Sequence, residues 1–178
     1  HPSPITHHGT WRFIFPETPF YAEAGGEVAD TGVIENLSRP GKAEVVDVQK
    51  AEGAFLHVVR VTSGEFRVGD RCRLIVDEAR RRAIERAHTA THLLHAALRK
   101  HLGEHVIQAG SWVGPEEFRF DFTHFAPLSA NELDDVERTV NEAVVRDIEL
   151  KFHLMTLEEA KRYGAIAHFE EEYRGKER

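Results

Sequence analysis

The sequence predicts an α+β protein in which a small antiparallel β-barrel is followed by helices on one side of a mostly antiparallel sheet. Two observations lead to this prediction. Residues 11–76 consist of short runs rich in Val, Ile and Phe, separated by Gly, Pro, Asp and Asn, a texture typical of strands and turns. Residues 77–102 then contain neither Gly nor Pro and are rich in Ala, Leu, Arg and Glu, which predicts one long helix.

The first part of the chain divides into a tail and a barrel domain. Residues 1–10 contain three His and two Pro without periodicity, so we interpret them as a flexible tail or a cloning remnant. The barrel domain is expected over residues 11–76, with turn residues between its strands. Those strands are predicted at residues 11–15, 31–37, 43–50, 54–62 and 71–76.

A glycine pair, Gly25-Gly26, follows two aromatic residues within this domain. Glycine allows positive φ or a close approach of another backbone. The pair therefore predicts either a tight bend at a barrel corner or a loop that presents backbone amides to a phosphate or a ribose. The residues by themselves favour the bend.

Strands and helices alternate in the second domain, which is expected over residues 77–178. Ser129 and Glu132 have the spacing of a capping box that opens a helix. Thr156 is a candidate N-cap, and Gly164 a candidate C′ residue, of a shorter helix. After the long helix we predict strands at 106–113, 117–123, 149–155 and 165–169, and helices at 129–145 and 156–163.

Two histidines, His88 and His92, lie four residues apart on the long predicted helix, so their side chains are expected to project side by side. Two imidazoles at this spacing form half of a zinc site, which needs three or four ligands. The alternative is a pair of solvated or hydrogen-bonded side chains, which the spacing alone favours in a chain with twelve histidines. His95 lies near the same face, where packing or hydrogen bonding is a better interpretation than coordination.

Composition excludes several classes of protein. The net charge of −7 argues against broad, non-specific binding to nucleic acid. We interpret the arginines of residues 80–86 as a solvated helix face, paired with Asp77, Glu78 and Glu85. The single cysteine, Cys72, rules out an intrachain disulfide and fits the cytoplasm. No apolar run approaches the roughly 20 residues of a membrane span.

Three stretches, in their order and spacing, resemble the editing region of alanyl-tRNA synthetases and the free-standing alanyl-tRNA editing proteins. They are Thr-Pro-Phe-Tyr-Ala-Glu-Ala-Gly-Gly at residues 18–26, His-Thr-Ala-Thr-His-Leu-Leu-His-Ala-Ala-Leu-Arg at 88–99, and Arg-Phe-Asp-Phe-Thr-His at 119–124. Gln108-x-Gly110-Ser111 lies between the last two, also as in that family. The resemblance covers the chain from about residue 11 to its end.

The resemblance implies a small β-barrel followed by a two-layer α/β editing domain with a long His-x-x-x-His helix. It also implies hydrolysis of the ester that joins serine or glycine to the tRNA for alanine. Such an activity is needed because a pocket sized for alanine cannot reject the smaller glycine and rejects serine poorly. The implied partner is therefore mischarged tRNA(Ala), while an ATP site is expected only in the synthetase's separate aminoacylation domain.

The same resemblance implies roles for individual residues. His88 and His92 are implied zinc ligands, and Thr91 and Gln108 are implied catalytic-pocket residues. The implied substrate-binding residues are Gly25, Gly26 and Arg119. Zinc would activate a water or orient the 3′ end of the tRNA, two roles that the sequence leaves open.

Two departures from the family pattern matter. The family completes its zinc site with a Cys-x-x-x-His pair beyond the stretch resembling residues 165–169, and this sequence ends at Arg178 before such a pair. We therefore expect the editing domain to lack at least one strand and two ligands, and to bind zinc weakly. Glu27 replaces the usual Gln after the glycine pair, which is unfavourable beside a phosphate and neutral at a surface.

Two other functions compete with editing of the alanyl type. The editing domain of threonyl-tRNA synthetase shares a His-x-x-x-His helix, although the loop at residues 18–26 and the strand at 119–124 favour the alanyl type. A non-catalytic tRNA-binding or structural module is the second alternative, supported by the incomplete ligand set. Binding without turnover would identify it.

Overall fold

The computed structural model describes residues 9–149, 151 and 153–164. Contacts between Cα atoms divide the chain into two compact units. One comprises His1–Thr91 and Gly110–Phe120, the other His92–Ala109 and Asp121–Arg178. The domain ranges predicted from the sequence stay a prediction. Within the described residues, no helix combines the length and apolar character that crossing a bilayer requires.

The first unit contains a five-stranded antiparallel sheet with the strand order β1-β4-β3-β2-β5. All five predicted strands are confirmed, each within one or two residues of its predicted bounds. The observed strands are β1 (Thr10–Ile14), β2 (Gly32–Asn36), β3 (Gly41–Ala51), β4 (Ala54–Gly64) and β5 (Cys72–Val76).

The sheet is open, which corrects the expectation of a closed barrel. In the described part of the chain, β1 pairs with β4 and β5 pairs with β2, but β1 and β5 do not pair with each other. Closure requires the two edge strands to meet in register. The two edge strands have five residues each, against eleven in β3 and β4. Alternation within a strand predicts its two faces but not which strands become neighbours.

The core of this unit lies on one face of the sheet and includes fully buried residues of β2, β3 and β4, namely Ile34, Val45, Val48 and Val59. His57 is also fully buried there. Its Nε2 lies 2.7 Å from the Thr18 hydroxyl and its Nδ1 3.2 Å from the Phe13 carbonyl. Burial lowers the pKa of His57, so the ring stays neutral and anchors the start of the loop at residues 18–27.

The long predicted helix is confirmed as α1 (Glu78–Leu102). Asp77 caps its start, because the Asp77 carboxylate accepts a hydrogen bond of 3.0 Å from the amide of Arg80. Gly103 follows its end with φ = 115°, a conformation that suits glycine. Ile84, Thr91 and Leu98, spaced seven residues apart, are buried on the helix.

The remaining elements are two strands and two helices: β6 (Gln108–Val113), β7 (Phe118–Phe122), α2 (Ala130–Val145) and α3 (Leu157–Arg162). β6 and β7 pair as a separate two-stranded sheet. Both helices begin with complete capping boxes, at Ser129 and at Thr156, and Gly164 has positive φ after α3, as predicted.

One predicted strand, residues 149–155, is wrong. Its described residues form neither helix nor strand. They lack a paired partner strand in the described part of the chain, and an extended run becomes a β-strand only when its backbone groups pair with a neighbour. The strand predicted at residues 165–169 lies outside the described residues.

Candidate functional site

The glycine pair forms a tight turn. Gly25 and Gly26 have φ values of 60° and 85°. Ala24 and Glu27 exchange backbone hydrogen bonds of 3.0 and 3.3 Å across them. Two successive residues with positive φ are typical of a two-residue hairpin turn. The tight bend favoured by the sequence is therefore confirmed, but not its position at a barrel corner, because the sheet is open. The predicted substrate-binding role of the pair stays a prediction.

Gly26 also permits a close backbone approach. A Cβ at this position would overlap the carbonyl oxygen of Ser111. The approach is fixed by two hydrogen bonds, from Val113 N to Gly26 O at 2.8 Å and from Val28 N to Val113 O at 3.1 Å. The end of β6 thus holds the backbone on both sides of Glu27.

Glu27 belongs to a buried ion-pair network centred on Arg81. The guanidinium donates from Nη1 to Glu27 Oε1 at 2.8 Å and from Nε to Asp30 Oδ1 at 2.8 Å. The side chains of Glu27 and Asp30 are 8% and 3% exposed. Burial lowers the pKa of Arg81, but hydrogen bonds and charges from Asp30 and Glu27 raise it more, so the guanidinium stays charged.

Tyr21 connects this network to the loop. Its backbone amide donates to Asp30 Oδ2 at 2.8 Å, and its ring lies 5.0 Å from the guanidinium carbon of Arg81. Burial and the negative charge of Glu27 raise the pKa of the Tyr21 phenol. The network therefore fixes the loop against α1 through charge, hydrogen bonding and a cation–π contact.

The second oxygen of Glu27 reaches a predicted zinc ligand. Glu27 Oε2 lies 2.5 Å from Nδ1 of His88, whose side chain is 49% exposed. Glu27 is therefore not at the surface, one of the two environments expected from the sequence. It joins a buried charge network to an exposed histidine on α1.

Nothing in the sequence pointed to this contact, because Glu27 and His88 are 61 residues apart. The local interpretation of the arginines was correct for Arg82, which pairs with Glu78 and Glu85. It was wrong for Arg81, whose partners come from the loop before β2. The sequence singled out Glu27 only as a departure from the family's usual Gln, and this departure indicated no partner.

The two predicted zinc ligands lie on one continuous helix. His88 and His92 are four residues apart on α1, and both are exposed. Imidazole nitrogens are ordinary zinc ligands, and a carboxylate behind one of them is a common outer partner. The donors present therefore fit zinc, but they supply two ligands. The described residues contain no group of three or more His, Cys, Asp or Glu side chains that could hold a metal.

The other predicted site residues are placed on three elements. Thr91 is buried in α1 and donates its hydroxyl hydrogen to the carbonyl of Ala87 at 2.9 Å. Gln108 begins β6 and is half-buried, and Arg119 is exposed on β7. Thr91 and Gln108 belong to different units, and the roles of all three residues stay predictions.

The second His-x-x-x-His pattern, His101 and His105, has no metal-like arrangement. His101 contacts the Thr139 hydroxyl at 2.7 Å, whereas His105 contacts His124 at 2.9 Å and stacks on Phe125. The helix ends at Leu102 and Gly103 follows with positive φ, so the two histidines do not lie on one helix. Each ring therefore has its own partner.

A cavity of about 650 Å³ in the first unit lies beside the Arg81 network. Its lining includes Tyr21, Lys50, Phe55 and Arg82, but none of His88, Thr91 or Glu27. It is therefore separate from the face of α1 that carries the predicted ligands, and we do not assign it to the candidate site.

Comparison with known proteins agrees with the motifs. Residues 3–80 match the family described as tRNA synthetases class II (A). The chain is 49% identical to an alanine–tRNA ligase of Petrotoga mobilis over 163 residues, 91% of this chain and 18% of the relative. It is 49% identical to that of Thermotoga maritima over 166 residues, covering 93% and 19% of the two chains. For Thermus thermophilus the identity is 52% over 163 residues, covering 91% and 18%.

These relatives carry the same name and align with nearly the whole chain, although the chain spans less than a fifth of their length. An identity near 50% over so many residues cannot be explained by chance similarity of short motifs. The chain belongs to the alanyl-tRNA synthetase family and corresponds to a segment of those enzymes.

Proposed function

We propose that this segment edits tRNA(Ala) mischarged with serine or glycine, by zinc-associated hydrolysis of the aminoacyl ester in the cytoplasm. The observation that carries the proposal is the exposed imidazole of His88, held from behind by the buried carboxylate of Glu27 at 2.5 Å. Histidines that bind a metal usually donate their other ring N–H to a carboxylate, carbonyl or water, and Glu27 supplies such an acceptor here. The editing motifs around it, and the kinship with alanine–tRNA ligases, supply the substrate class.

In this proposal His88 and His92 hold the zinc ion, which supplies an activated water or a fixed position for the 3′ end of the tRNA. Thr91 already donates its hydroxyl hydrogen to Ala87. Its oxygen can therefore only accept from a ligand, which suits the substrate's amino group or a water. Gln108 carries an amide that can donate to the ester carbonyl as negative charge develops there.

The first test is Gln108→Ala in a full-length alanyl-tRNA synthetase containing this segment. We expect deacylation of seryl-tRNA(Ala) to fall by roughly 100-fold, the effect of losing one donor to a developing oxyanion. Aminoacylation with alanine should stay unchanged. A parallel loss of both activities would show instead that Gln108 supports the fold.

A matched substrate comparison separates the alanyl from the threonyl type. The same enzyme should hydrolyse Ser-tRNA(Ala) and Gly-tRNA(Ala) but leave Ser-tRNA(Thr) intact. The reverse preference would overturn the assignment to alanine editing.

A non-catalytic tRNA-binding module is the second candidate, favoured by the two-donor set in the described residues. Zinc content distinguishes the two when measured on this chain and on a chain extended past Arg178. Editing predicts stoichiometric zinc and turnover in the extended chain. Binding of tRNA without zinc and without turnover in both would identify the module.

A further inference from the structure

We propose that Glu27 is a positioning residue, which orients His88 so that Nε2 is the ring nitrogen presented to a ligand. The proposal rests on the proposed role of His88 in binding zinc. It adds an outer partner that comes from the glycine loop, 61 residues away from the histidine.

The geometry defines which ring nitrogen carries the hydrogen. A carboxylate oxygen only accepts hydrogen bonds, so Nδ1 of His88 must be the donor in the 2.5 Å contact with Glu27. In the neutral ring the lone pair is then on Nε2. Metal coordination requires a lone pair, so this contact selects Nε2 and sets the plane of the ring.

Glu27 is itself held in place, as an orienting group must be. Its other oxygen, Oε1, accepts from Arg81 at 2.8 Å, and the backbone on either side pairs with Val113. Its side chain is 8% exposed. The carboxylate therefore cannot swing away from His88 without breaking the ion pair with Arg81.

The two contacts also explain why a carboxylate is better here than the family's usual amide. Arg81 and His88 each donate one hydrogen bond to a different oxygen of Glu27. Glutamine has a single acceptor oxygen, and its NH₂ group would face one of the two donors. Glu27→Gln should therefore keep only part of the orientation.

Asp30 offers a matched control. It is as buried as Glu27 and pairs with the same guanidinium, but its other hydrogen bond goes to the amide of Tyr21. Asp30→Asn weakens the Arg81 network without touching His88. An effect specific to Glu27→Ala therefore reports orientation of the histidine and not general support of the loop.

The direct measurement is the tautomer of His88, by ¹⁵N NMR of the metal-free chain at pH 9, where an ordinary imidazole is neutral. We expect the Nδ1–H form in the parent and in Asp30→Asn, a mixture in Glu27→Gln, and a shift to Nε2–H in Glu27→Ala. An Nε2–H form in the parent, or no change in Glu27→Ala, would overturn the proposal. Thermal unfolding checks that each variant is folded. If Glu27→Ala does not fold, the tautomer of His88 in Glu27→Gln tests the proposal in its place.

Zinc affinity, measured by chelator competition on the full-length enzyme, separates the two proposals. Loss of an outer partner costs about 10- to 100-fold in metal affinity, so Glu27→Ala should weaken binding by that factor and Asp30→Asn should change it little. Unaltered affinity in Glu27→Ala would refute the positioning role and leave editing intact. A parent enzyme that binds no zinc would refute the zinc site, whereas the tautomer result would still decide the role of Glu27.

Discussion

The first unit contains two networks in which one arginine pairs with two carboxylates. Arg39 donates to Asp70 at 2.9 to 3.1 Å and to Glu65 at 3.1 Å, much as Arg81 does to its two carboxylates. In both networks a glutamate follows a glycine with positive φ, Gly64 in one and Gly26 in the other. A Cβ on either glycine would overlap a backbone carbonyl oxygen, of Pro40 or of Ser111.

The networks differ in their remaining partners. Asp70 also accepts from the side chain of Asn36 at 2.7 Å and from the amide of Arg67 at 2.8 Å, so its contacts close the turns between strands. Glu27 instead offers its second oxygen to His88 on α1. The exposed partner differs in its chemistry: Glu65 pairs with Arg67 and Glu27 with His88, both 49% exposed, but only the imidazole of His88 has a lone pair that can bind a metal.

The largest expected effect comes from removing the central arginines. Arg81→Ala leaves two carboxylates almost wholly buried without the guanidinium that balances their charge, which should cost about 3 to 5 kcal/mol in the free energy of unfolding. Arg39→Ala should cost less, because Glu65 is 30% exposed and can be solvated. Urea unfolding measures both, with exposed Arg82→Ala as the control that changes stability little. Equal losses of unfolding free energy in Arg81→Ala and Arg39→Ala would show that the deeper burial of the Arg81 partners does not affect stability.

The second largest expected effect is the loss of stability when Gly26 or Gly64 is replaced by alanine. Gly26→Ala and Gly64→Ala each combine a left-handed backbone with a steric overlap, so each should cost more than the roughly 1 to 2 kcal/mol of the conformation alone. Gly25→Ala is the control, since a Cβ there meets open space and only the conformational cost applies. Only Gly26→Ala should also perturb the NMR signals of His88. A similar change in Gly64→Ala would show that the networks are not independent.

The smallest expected effect concerns pH. Hydrogen bonding to Arg39 holds the pKa of Asp70 below its ordinary value of 3.8. The carboxylate therefore stabilises the fold fully above about pH 3.8, and this contribution is lost as the pH falls through the lower pKa of the folded state. Asp70→Asn should cost about 2 kcal/mol at neutral pH, and the gap to the parent should narrow below pH 3.8. A gap that stays constant down to pH 2 would contradict the charged role of Asp70.

Local chemistry explains what the sequence predicted correctly. The helix from Glu78 to Leu102 follows from an uninterrupted run of helix-forming residues with a cap at Asp77. The capping box of Ser129 and Glu132 closes within four residues. The turn at Gly25-Gly26 follows from the conformational freedom of glycine. Each of these features depends on neighbours in the chain, so composition and spacing were sufficient.

Contacts between distant segments were decided only by the tertiary structure. The sequence predicted five strands but not that β1 and β5 would remain edges, because strand order depends on pairing across the whole sheet. The sequence pattern paired Arg81 with carboxylates on its own helix. In the structure its partners are the buried carboxylates of Glu27 and Asp30, which come from another segment. The sequence identified His88 by helical spacing, but the carboxylate that orients His88 lies on another segment. Short-range patterns determine elements and candidate ligands, while long-range packing determines which side chains hold them in place.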